Sequence, residues 1–153
     1  MSILKSDWLY SAVFAALCGL LTACTSSNQS AERFNYDLKI ASKGLHSGKI
    51  LRMDSVNVNQ WDNMYIFPPY TKTKDIEKSI NSRLPPSITE SRIIERDDVN
   101  LIVFTNGEDV QMAATVPRSS IDFKAPILQP LSRKNAQFTK SATGERLIFF
   151  DQK

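Results

Sequence analysis

The chain is poor in the residues that most often carry chemistry. It has one histidine, His46, and two cysteines, Cys18 and Cys24, in 153 residues. Both cysteines fall within the first 24 positions, so everything after Cys24 is without a thiol. That excludes cysteine catalysis, Cys-based metal sites and internal disulfides in the later chain. A single histidine cannot build a His-based metal cluster without carboxylates or a second subunit to complete it. Five glycines leave little room for a phosphate-cradling loop, and no dinucleotide fingerprint is present. The segment Gly44-Leu45-His46-Ser47-Gly48 is not a nucleophile elbow, because its serine is not midway between the glycines. It reads as a turn with a solvent-facing histidine. Neither sign of charge dominates: 19 basic and 16 acidic residues give +3, spread along the chain. No basic tract interleaved with aromatics appears, which argues against a nucleic-acid partner. No apolar run is long enough to cross a bilayer core, which takes about 20 residues.

What is present begins at the N-terminus. Lys5 supplies a weak positive charge, offset by Asp7, and Trp8 to Leu21 is apolar apart from small residues such as Ser11 and Gly19. A stretch of this length suits the h-region of a secretory signal. Leu21-Thr22-Ala23-Cys24 then closes it. These four residues resemble the lipobox of bacterial lipoproteins. The resemblance implies cleavage between Ala23 and Cys24 and a diacylglyceryl group on the Cys24 thiol, with further acylation of the new amino group in many species. Two or more acyl chains anchor stably where one is marginal. In enterobacterial lipoproteins an Asp after the Cys retains the protein at the inner membrane. Thr25-Ser26 stands here instead, so the resemblance implies an outer-membrane lipoprotein facing the periplasm. Residues 1–23 are then a removed signal peptide. Residues 24–32 are the lipidated Cys24 and a small, polar stretch too poor in apolar surface to order itself, read as a flexible tether. Residues 33–153 form one domain, large enough for a core of its own.

In that domain Phe34, Tyr36, Leu38 and Ile40 alternate with polar residues. The period of two favours a strand, with a short entering helix as the competing reading. Ile50 to Val58 reads as a second strand. Trp61-Asp62-Asn63-Met64-Tyr65-Ile66-Phe67-Pro68-Pro69-Tyr70-Thr71 is the most distinctive stretch. Its Met64–Phe67 core suits a strand that Pro68-Pro69 must stop, since proline lacks the amide hydrogen. This stretch is similar to one in small uncharacterised bacterial lipoproteins, a likeness that brings no activity with it. Trp61, Tyr65 and Tyr70 either pack the core at a corner or form an aromatic surface that grips a partner.

Thr73 is placed to cap a helix over Lys74 to Ser82, with Ile76 and Ile80 on one face, ending at Leu84-Pro85-Pro86. Ile88 to Glu95 reads as a strand or irregular connector and Asp97-Asp98 as a solvated turn. Val99 to Thr105 reads as a strand buried on both faces, followed by Asn106-Gly107, the preferred pair of a type I′ hairpin turn. Val110, Met112, Ala114 and Val116 mark the return strand. Ile121 and Phe123 suggest a short edge strand, Pro126 to Arg133 a loop, and Ala136, Phe138 and Leu147 to Phe150 a last hairpin.

The expected fold is α+β: an antiparallel sheet of five or six strands with one helix on a face. The expected function is a membrane-anchored, non-enzymatic protein-interaction or accessory module of the cell envelope, with no cofactor and no metal. An immunity or inhibitor lipoprotein against a periplasmic toxin or enzyme, a structural subunit of outer-membrane or secretion-apparatus assembly, and an envelope enzyme using carboxylates are the alternatives.

Overall fold

The computed structural model describes residues 22–46, 48–124, 130–142 and 146–149. The apolar N-terminal run with Leu21, and Ser47, lie outside them. Ala23 and Cys24 are described as backbone only, in the first turn of a helix.

That helix, α1 (Thr22–Lys43), is the first correction to the sequence expectation. It covers both the stretch read as a tether and the stretch read as a strand. The rows that decide it are Ala31, Phe34, Leu38, Ala41 and Leu45, spaced by three and four, which pack on one core. Phe34 and Leu38 are fully buried, whereas Tyr36 and Ile40, their partners in the alternation, are 66% and 53% exposed. With one end docked, each further helical residue adds a backbone hydrogen bond, so the helix extends back through the polar segment.

Two four-stranded sheets follow, not one of five or six. The first has the order β4-β3-β2-β6, all antiparallel, from β2 (Asn63–Phe67), β3 (Val99–Asn106), β4 (Asp109–Pro117) and β6 (Leu131–Ser132). The second has the order β1-β7-β8-β5, from β1 (Leu51–Arg52), β5 (Asp122–Lys124), β7 (Gln137–Lys140) and β8 (Arg146–Phe149). The expected last hairpin is β7–β8, and the expected edge strand is β5, paired to β8 in parallel. Of the expected strand over residues 50–58 only β1 forms. A 3₁₀ turn at Met53–Ser55 takes over once Met53 turns its side chain into the core. The region read as a loop after Pro126 includes β6, which pairs with β2.

The β3–β4 hairpin forms, but one residue out of the expected register. Asn106 pairs with Asp109, leaving Gly107 and Glu108 as the two loop residues. Gly107 has φ +59°, and Glu108 is not in the positive-φ region. Positive φ at the first central position alone belongs to a type II′ turn. A bulge then places Thr105 opposite Val110 and Phe104 opposite Met112, with Gln111 left over. Val110 therefore packs on one face of the sheet, while Met112, Ala114 and Val116 pack on the other.

Both faces of β2–β3 are buried, as the apolar run in β3 suggested. One face carries Met64, Ile66, Ile102 and Phe104, and meets α1 and the second sheet in one apolar cluster. Phe104 is its hinge, with Phe34 at 5.3 Å and Trp61 at 4.9 Å, both edge-on. The other face carries Tyr65, Phe67, Leu101 and Val103. It is covered by α2 (Thr73–Ile80), α3 (Pro86–Thr89) and a 3₁₀ turn at Ile93–Glu95. Lys72 rather than Thr73 is the N-cap of α2, and Asn81 closes it in the left-handed region. Pro86 does not merely end a helix; it starts α3 at a position where its missing N–H costs nothing.

Candidate functional site

The aromatic trio named from the sequence does not share a surface. Trp61 is 3% exposed, inside the first cluster, with the Arg133 guanidinium over its ring at 5.5 Å. Tyr65 is 7% exposed, on the opposite face of the sheet, stacked on Phe67 at 6.0 Å. Burial pushes its hydroxyl pKa up, and the nearby Asp62 adds to the rise. Trp61 and Tyr65 are core residues and cannot grip a partner. Tyr70 alone is exposed, at 61%, with φ +63° where the chain turns after Pro69. Its amide N–H donates to the Ile93 carbonyl at 2.9 Å, which holds this corner against the 3₁₀ turn. His46 is exposed, as expected of a turn residue.

The Pro68-Pro69 corner is also one wall of a cleft of about 230 Å³. The charged part of the cleft is built from three places distant in sequence. Asp122, on β5, is the centre, with its side chain 14% exposed. Arg118, one helical-turn spacing earlier, donates to it through Nε at 3.0 Å and Nη2 at 3.1 Å. Arg146, on β8, forms an ion pair with it through Nε at 3.1 Å. The parallel β5–β8 register sets Arg146 directly beside Asp122. Asn100, a buried residue of β3, reaches the same carboxylate with its amide at 3.4 Å.

Arg118 is locked further. Its Nη1 donates to the Asp97 carbonyl at 3.0 Å, and its backbone N–H to the Asp98 carbonyl at 2.8 Å. The Asp97-Asp98 turn thus contributes carbonyl oxygens to this arrangement. Its carboxylates stay outside: both residues are exposed, and Asp98 is paired with Arg96 at 2.7 Å.

A second cleft, of about 120 Å³, shares Asp122 and Arg146 and adds Lys43 and Lys140. Among the described lining residues of the two clefts, four cations face one carboxylate. Burial acts to raise the Asp122 pKa. The Arg118 and Asn100 hydrogen bonds and the Arg118 and Arg146 charges together outweigh it, so the carboxyl is held below the usual aspartate value. At neutral pH the group is a fixed anion between fixed cations. It can orient and attract; it is not set up to give or take a proton.

A third cavity, of about 290 Å³, lies between α1, α3 and the outer strand β4, with Glu32 and Glu90 at its rim. Asn35 spans it, donating from Nδ2 to the Thr115 carbonyl at 2.9 Å, and so covers part of the free edge of β4. Among the described residues no group of three or more His, Cys, Asp or Glu side chains is placed to hold a metal ion. No described helix is long and apolar enough to cross a membrane.

No known protein family, curated protein or solved structure matches this chain. The site must be read from its own chemistry.

The sequence reading missed Arg118, Asp122 and Arg146. The spacing of four between Arg118 and Asp122 is visible in the sequence, but Asp122 lies between Ile121 and Phe123, which read only as a short edge strand. Arg146 gave no signal at all, because its place depends on a strand pairing that no local pattern announces.

Proposed function

We propose that the mature protein is a lipid-anchored envelope lipoprotein that works as a non-enzymatic interaction module. The lipobox at Leu21-Thr22-Ala23-Cys24 supports the anchor, and Thr25-Ser26 after it supports the outer membrane, facing the periplasm. The observation that carries the interaction reading is the state of Asp122. The most organised polar cluster among the described residues is an ionised carboxylate saturated by two arginines. That is recognition chemistry, in which fixed charges position a partner. Carboxylate catalysis by acid and base asks for the reverse, a carboxyl whose pKa is raised towards neutrality.

The test is crosslinking in living cells, followed by mass spectrometry of what copurifies with the tagged protein. One abundant envelope protein is expected. Background alone would overturn the interaction reading.

A further inference from the structure

The two arginines of the cleft are not equivalent. Arg118 uses Nε, Nη1 and Nη2, all on protein oxygens. Arg146 reaches Asp122 through Nε, and its side chain is 51% exposed. A guanidinium has five N–H donors in a rigid plane, so an arginine held at Nε keeps an outward edge that matches a carboxylate. Asp122 thus acts as the brace that aims Arg146 into the cleft. Lys43 and Lys140 line the neighbouring cleft that shares Asp122 and Arg146, and Pro68 and Pro69 give this cleft an apolar part to its wall.

We propose that this cleft binds a carboxylate of a protein partner, gripped by Arg146, with an apolar side chain of the partner laid on Pro68-Pro69. The proposal deepens the interaction reading above by naming the chemistry the partner presents. A carboxylate suits the cleft better than a phosphate because Ile66, Pro68, Pro69 and Phe123 stand in its lining, and an apolar surface beside the charge suits an amino-acid side chain.

The experiment is a nuclear magnetic resonance titration of the full chain in a non-ionic detergent. The probes are N-acetyl-leucine, its uncharged amide N-acetyl-leucinamide, and inorganic phosphate. Acetyl-leucine is expected to shift the Arg146 Nε–H and the Phe67 and Tyr70 amides saturably, with a Kd of about 1 mM for so small a ligand. The amide should leave them unmoved, a control that needs no variant. Arg146→Gln should weaken acetyl-leucine at least about tenfold, the loss of a charge-assisted hydrogen bond. An equal response to the amide, unchanged affinity in Arg146→Gln, no saturable shift, or phosphate binding as tightly would each overturn the proposal. It fails separately from the interaction reading. A crosslinked partner without acetyl-leucine binding sinks the cleft assignment alone, and acetyl-leucine binding without any partner sinks the interaction reading alone.

Discussion

Asp122 couples the electrostatics of the cleft to the stability of the fold. Its carboxyl is held below the ordinary aspartate value in the folded chain. A depressed carboxyl contributes stability that is fully present above its unfolded value, about 3.9, and is lost as the pH falls through the folded value. Stability should therefore hold steady from neutral pH down to about 4 and then drop. In Asp122→Asn the drop should be shallower, because that titration is gone. Denaturant midpoints measured from pH 7 to 2 check this, and an unchanged acid limb in the variant would refute the coupling. Trp61 makes a second case at this scale. Its ring is buried against Phe104, yet its indole N–H has no hydrogen-bond partner among the described residues. Trp61→Ala should cost about 3–5 kcal/mol through the cavity it leaves. Trp61→Phe should cost clearly less, since it keeps ring contact and removes an unsatisfied donor. Equilibrium unfolding of the two variants distinguishes this core role from a surface role, in which both would be near neutral.

At the scale of elements, α1 is where local pattern and tertiary context conflict. Residues 34–40 satisfy a period of two and a period of four equally well, because Phe34 and Leu38 belong to both. Docking against Phe104 chooses the helix, and Tyr36 and Ile40 are left outside. Phe34→Ala should cost about 3–5 kcal/mol. Tyr36→Ala should fall within about 0.5 kcal/mol of the parent, as surface changes do. A strand arrangement would give comparable costs at both positions, so thermal unfolding of the pair decides between them. The β3–β4 hairpin was legible because its signals are local: an apolar run, a glycine, then a return strand. The turn type was not, because a one-residue register shift and the bulge at Gln111 are set by which faces must be buried. Helix α2 was legible from Ile76 and Ile80, both buried as expected. Helix α3 was not, because four residues are too few to show a period.

For the whole molecule, the proposed anchor and the folded domain meet in one helix. From Cys24 to Ala31, the first of the described side chains packed on the core, α1 spans about 10 Å at 1.5 Å per residue. On the proposed lipidation, that is a short helical link rather than a long coil, and it would hold the domain near the headgroups. Cys24→Ala should move the protein from the membrane fraction to the soluble periplasmic fraction on cell fractionation. Retention in the membrane would sink the anchor reading. The sequence by itself determined what depends on neighbours along the chain. The lipobox resemblance, the two-faced burial of β3, the hairpin that follows it, helix α2 and the absence of thiol chemistry after Cys24 are all of this kind. Tertiary structure alone decided what depends on distant segments meeting. It divided the strands into two sheets, made residues 34–40 helical, buried Trp61 and Tyr65 on opposite faces, and laid β8 parallel to β5 so that Arg146 stands beside Asp122. The physical reason is range. Turn chemistry and periodicity act over a few residues, whereas strand pairing and burial are settled by which distant surfaces exclude water together.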